Sequence, residues 1–126
     1  DELKAHAKSI RRNIIKITTE AGSGHPSSSM SAVEVVTALY FGGFLRHNKQ
    51  NPRDPKRDRF ILSKGHAVPV LYAALHEAGY YSFEQIMSLR KLGSPFEGHP
   101  NMKRLDTMEA STGSLGQGLT KIVCLA

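Results

Sequence analysis

The sequence predicts an α/β fold: one domain over residues 1–126, rich in helix, with a parallel sheet that is incomplete. Three observations predict it. Apolar residues recur at helical spacing in segments closed by glycine. One short apolar run, Arg59-Phe60-Ile61-Leu62-Ser63, has the character of a strand buried inside a parallel sheet. Helix, strand, helix and loop then alternate without repeats or low-complexity tracts.

The elements follow in chain order. Leu3 to Ala21 reads as a helix, with Ile10, Ile14 and Ile17 on one face, cations on the other, and Gly22-Ser23-Gly24 to end it. The Gly24-His25-Pro26 corner cannot continue that helix, because proline lacks an amide donor and restricts His25 before it. A second helix is expected from about Ser31, where Ser31 and Glu34 have capping-box spacing ahead of Val35, Val36, Leu39 and Tyr40. Gly42-Gly43 weakens its end, and Asn48 to Asp58 is a charged surface loop. The Arg59–Ser63 run is read as a strand whose carboxyl end carries Lys64-Gly65-His66, the end at which open α/β sheets gather ligands. Val68 to Ala78 is the next helix, with Pro69 in its first turn and Gly79 as its stop. Ser82 to Leu89 is a short helix with a second capping box, Ser82 and Gln85. Gly93 to Thr107 is irregular. The Gly113 to Gly118 turn leads into an apolar helix from about Leu119 to Ala126.

Composition narrows the function. The longest nearly uncharged apolar run, Val35 to Leu45, is about half of a bilayer span, so no membrane role is expected. A single cysteine, Cys124, excludes an internal disulfide and leans toward a cytoplasmic location; its apolar neighbours predict buried filler. The net charge of +6 is concentrated in the first helix and in residues 53–59. It admits solvated faces, a field that attracts anionic substrates, or a nucleic-acid surface. Absence of interleaved aromatics and of zinc spacing argues against nucleic acid.

Three of the six histidines follow a glycine: Gly24-His25, Gly65-His66 and Gly98-His99. Composition alone gives roughly half of one such dipeptide. Glycine lets the backbone turn sharply and lets a ligand approach closely. Imidazole titrates near pH 6.5 and suits proton transfer at hydroxyl and carbonyl oxygens. The separations of 41 and 33 residues match no compact zinc spacing, so no metal site is assigned. The Gly113–Gly118 turn is neither a Walker A nor a dinucleotide fingerprint, and reads either as an ordinary connection or as a phosphate-approaching turn. His6, His47 and His76 belong to no motif and read as packing or surface residues.

Four segments, Ala21–Pro26, Asp58–Ala67, Gly98–Pro100 and Glu109–Gly118, together resemble the N-terminal, thiamine-diphosphate-binding part of the transketolase family, close to the form split into two smaller chains. The resemblance spans nearly the whole chain. It implies two-carbon ketol transfer between sugar phosphates, as in the pentose phosphate pathway, with thiamine diphosphate and Mg2+ as cofactors. It implies that His25 and His99 are catalytic, facing the sugar, and that His66, Gly113, Ser114 and Leu115 bind the cofactor. Lys64 could add positive charge near a phosphate.

The chain also departs from the family. It holds no Gly-Asp-Gly, the segment that with a downstream Asn would carry the metal, and Lys121 sits awkwardly in a helix expected to be buried. The expectation is therefore a truncated fragment or subunit, inactive alone, that associates with itself as a homo-oligomer or with a complementary C-terminal subunit. Rival readings are a non-catalytic regulatory protein on the same scaffold and, last, a basic nucleic-acid binder. A deoxyxylulose-phosphate synthase is the nearest competitor within the thiamine group; the two Gly-His-Pro triplets favour transketolase.

Overall fold

The computed structural model describes residues 1–125, and among these the regular structure is helical. The elements are α1 (Glu2–Ala21), α2 (Pro26–Met30), α3 (Val33–Phe41), α4 (Val68–Glu77), α5 (Phe83–Ile86) and α6 (Gln117–Leu125), with a single 3-10 turn at Gly65–Ala67 before α4.

α4 is the centre. Its residues from Val68 to Leu75 are all buried, as expected of a helix that is apolar around its whole circumference. α1 lies against it through Ile10, Ile14 and Ile17, and α2, α3 and α5 complete the surround. Burial of each of these isoleucines stabilises the fold by roughly 1.5–3 kcal/mol relative to exposure. α1 closes on Gly22, whose φ of 60° is left-handed and whose amide donates to Thr19 O at 3.0 Å. Tyr72 carries the core toward the last third of the chain: its ring meets Phe96 edge-on at 5.2 Å and its hydroxyl donates to Glu97 O at 2.8 Å.

Four expectations need correction. Arg59–Ser63 is not a strand, and no strand occurs among the described residues. A strand is made by a partner ladder; this segment is held instead by side chains, with Leu62 O accepting from Thr112 Oγ1 at 2.8 Å and Ser63 Oγ accepting from the Gly118 amide at 3.1 Å. The Ser31–Glu34 box does not form. The Ser31 hydroxyl donates to Ser28 O at 2.8 Å, Glu34 pairs with Arg11 of α1, and α3 starts at Val33 behind an uncapped Ala32. An extra helix, α2, begins at Pro26, because proline is preorganised for the first helical position. Cys124 is exposed, because α6 buries only Gly118 among its described side chains. Ala126, the last residue of the expected terminal helix, lies outside the described residues.

Other local signals match. The Ser82 box is present in both halves, Gln85 N to Ser82 Oγ at 3.1 Å and Ser82 N to Gln85 Oε1 at 2.8 Å. Pro69 lies in the first turn of α4, and Gly79 ends that helix region at φ 86°. α5 is shorter than expected, ending at Ile86; the chain continues in looser turns to Arg90, whose φ of 61° is left-handed. No described helix is long and apolar enough to cross a membrane.

Candidate active site

The three glycine-preceded histidines come from separate parts of the chain. His25 is the N-cap of α2, its carbonyl accepting from the Ser29 amide at 3.0 Å and from Ser29 Oγ at 2.9 Å. His66 stands in the 3-10 turn that leads into α4, and His99 in the irregular segment after Tyr72's partner Glu97. Folding brings all three together. His25 and His66 meet edge-to-face with centroids 5.2 Å apart, and His66 meets His99 in the same manner at 4.5 Å.

Close approach requires glycine at Gly65, where the neighbour is main chain, whereas at Gly98 the neighbour is the movable end of the Arg90 side chain. A Cβ on Gly65 would lie 2.7 Å from the carbonyl oxygen of Thr112, and one on Gly98 would lie 2.5 Å from Cζ of Arg90. Gly118 is equally tight, its Cβ position 2.7 Å from Cα of Ser63. Gly113 differs: a Cβ there meets only Cδ2 of His99, at 3.9 Å, so the turn passes the imidazoles with open space beside it.

Thr112 joins these pieces. Its amide donates to Pro100 O at 3.2 Å, its hydroxyl to Leu62 O at 2.8 Å, and its carbonyl backs onto Gly65. One buried residue thus fixes the His99 segment, the His66 turn and the Gly113 turn relative to one another. Glu109, just upstream, is gripped by Arg57 through a bidentate pair at 2.6 and 2.8 Å. Those two side chains are only 7% and 8% exposed, which makes the clamp a buried anchor for the same turn.

Electrostatics single out His99. Its pKa is lowered, first by burial, then by the neighbouring His66, by Arg90 and by His25. A neutral imidazole results, able to donate from one nitrogen and accept at the other. His66 contributes a buried Nδ1 without a hydrogen-bond partner among the described residues. An orphaned buried nitrogen is costly unless something else pairs with it.

Of the residues expected at the site, His25, His66, His99 and Gly113 are brought together. Ser114 and Leu115 follow Gly113 on the exposed face of the turn, Leu115 being 71% exposed. Lys64 turns to Ser31 Oγ at 2.9 Å. Lys121 donates to the Ser111 carbonyl, so its ammonium supports the turn. The remaining histidines pack as expected: His6 stacks on Phe41 at 4.1 Å, His47 bonds Tyr80 Oη at 2.9 Å, and His76 bonds Tyr81 O at 2.8 Å. No group of three or more potential metal ligands gathers among the described residues. Sequence reasoning missed Thr112 as the joint, although it lies inside a quoted motif, and missed Arg90, for which no sequence signal exists.

Three glycine-preceded imidazoles thus meet beside a small-residue turn in a helix-rich scaffold. The family described as "Transketolase, thiamine diphosphate binding domain" matches residues 3–126, and the chain belongs to that family. It is 49% identical to transketolase from Homo sapiens over 117 residues, which covers 93% of this chain and 18% of that protein. Transketolase from Treponema pallidum (strain Nichols) is 44% identical, covering 100% of this chain and 19% of its own length. Among solved structures, transketolase from Leishmania mexicana superposes with a TM-score of 0.92 at 34% identity, covering 98% of this chain and 18% of that one. Transketolase from Pichia stipitis in complex with sedoheptulose 7-phosphate gives 0.87 at 33% identity, over 93% of this chain and 17% of that one. The chain therefore spans under a fifth of the length of these relatives.

Proposed function

We propose that this chain supplies the sugar-facing histidines and part of the cofactor cradle of a transketolase-type transferase, which moves a two-carbon ketol unit between sugar phosphates. The observation that carries this reading is the edge-to-face run of His25, His66 and His99 beside the open Gly113 turn. Family membership and the sugar-phosphate complex of a relative support it.

His25 and His99 take the catalytic roles: they hydrogen-bond the hydroxyls and carbonyl of the sugar and pass protons between them. Neutral His99 accepts a hydroxyl proton without first losing its own. His66, whose buried Nδ1 has no partner among the described residues, and the backbone of Gly113, Ser114 and Leu115 would hold the cofactor. Thiamine diphosphate, when bound, supplies the stabilised carbanion that no side chain here provides. The open Gly113 turn and the orphaned His66 nitrogen fit such a group. Mg2+ does not fit these residues, since no cluster of three or more ligating side chains gathers among them, and its ligands would come from another chain or segment. A site so divided is completed only by residues beyond these, and these residues alone turn over no sugar.

Isothermal titration with thiamine diphosphate and Mg2+, followed by a ketol-transfer assay, tests this. Weak binding and no turnover are expected from the chain alone. Activity should appear on mixing with a chain bearing the Gly-Asp-Gly segment, and should vanish with His25→Ala or His99→Ala. Unaltered activity in both variants of the mixed system would sink the assignment.

A further inference from the structure

Among the described residues, Arg90 alone of the non-glycines has a left-handed backbone, at φ 61°. Arginine gains nothing from that conformation, which for an L-residue is strained and persists only when the surroundings enforce it. Two contacts do so. The Arg90 amide donates to Phe96 O at 2.9 Å, closing the loop from 90 to 96. The guanidinium lies on Gly98, with Cζ, Nη2 and Nε 2.5, 2.6 and 2.8 Å from where a Cβ would stand. Gly98 in turn directly precedes His99. No hydrogen bond or ion pair engages this guanidinium among the described residues.

We propose that Arg90 is a positioning residue for His99: its guanidinium, seated on the bare backbone of Gly98, fixes the Gly98-His99-Pro100 corner and presents an uncompensated positive charge to the imidazole. This rests on the reading of His99 as a substrate-facing group. The other charged and titratable groups around it are accounted for. His66 and His25 face it, while Glu97 is held by Asn101 at 2.9 Å and by Arg104 at 3.3 Å. Lys64 and Lys121 are bonded to Ser31 Oγ and the Ser111 carbonyl. Arg90 is the cation among the side chains that act on His99, in the direction that keeps the ring neutral.

The test follows the His99 ring-proton titration by NMR in the 126-residue chain, with the resonance assigned through His99→Gln. Thermal unfolding is recorded alongside. Arg90→Gln removes the charge and keeps the strained backbone. Arg90→Gly removes both, and is the variant best suited to the left-handed turn, so it keeps the fold available for measurement. Arg90→Lys keeps the charge. The His99 midpoint is expected to rise in the Gln and Gly variants and to stay near wild type in Lys, the difference shrinking toward 1 M salt, where screening reaches about 3 Å. A merely structural Arg90 predicts lower unfolding temperatures in the Gln and Lys variants with the His99 midpoint unmoved in all three, and an unmoved midpoint overturns the proposal. No cofactor or substrate enters the measurement. Loss of the ketol-transfer reading would therefore show in the reconstitution assay and leave this result standing.

Discussion

The carbonyl of Thr112 and the Cα of Gly65 are in backbone contact, with no room for a side chain between them: a Cβ at residue 65 would stand 2.7 Å from the oxygen and 2.8 Å from the carbon. Both partners are main chain and neither swings aside as a flexible side chain would. Gly65→Ala must therefore shift the His66 turn away from the Thr112 joint. An overpacking cost of about 1–3 kcal/mol is expected, read as a lower urea midpoint. Wild-type stability in this variant would show that the two segments are not pressed together.

Gly113→Ala makes the opposite prediction on stability. Its nearest neighbour is Cδ2 of His99 at 3.9 Å, an ordinary van der Waals distance, and its φ is not left-handed. Unfolding should stay within about 0.5 kcal/mol of wild type. The added methyl nevertheless occupies the open space beside the imidazoles. Thiamine diphosphate affinity of the reconstituted enzyme should fall about tenfold or more, equivalent to about 1.4 kcal/mol. A stable variant with unchanged cofactor affinity would remove the Gly113 turn from the site.

Glu109→Gln tests the clamp beneath the turn. The carboxylate receives both arms of Arg57 and a third bond from Arg59 at 3.1 Å, and the Arg57 guanidinium is held above its ordinary pKa chiefly by this hydrogen bond. Removing the negative charge leaves Arg57 buried without its counter-ion, which costs about 3 kcal/mol. Calorimetric unfolding measures it, and Arg59→Gln should cost far less because Arg59 is nearly half exposed.

Where local chemistry decides, the sequence is legible. The Ser82 box, the Pro69 first turn and the Gly79 stop each involve atoms a few residues apart, and each forms as read. The Ser31–Glu34 box had the same spacing and failed, because Arg11, 23 residues away from Glu34, competes for the carboxylate. Arg59–Ser63 has strand composition, but pairing is a property of two segments, and none of the described residues forms a ladder with it. Burial of Cys124 likewise depends on what covers α6. The grouping of His25, His66 and His99 was legible because each carries its own glycine, whereas the φ of Arg90 runs against every local preference and is visible only in the fold.

The lowered pKa of His99 fixes the sign of one pH dependence. Its largest cause is burial, followed by His66, Arg90 and His25, and all act against the protonated ring. In the unfolded chain the imidazole takes up a proton near its ordinary value of about 6.5, whereas in the fold it waits for a lower pH. As pH falls below that value the unfolded state binds the proton first, so the folded state loses stability progressively until its own midpoint is passed; above it the contribution is constant. Glu20 and Asp58, whose carboxyls are lowered by hydrogen bonds from Lys91 and Arg46, act in the same direction but only in the acid range below their ordinary values of 4.5 and 3.8. The two effects therefore separate along the pH axis. Urea unfolding from pH 7.5 downward should show stability declining as pH drops through 6.5, and His99→Gln should flatten that segment while preserving the steeper acid loss. Parallel curves for the two proteins would mean that His99 does not stand among the other imidazoles in solution, and the site built on their meeting would fail with it.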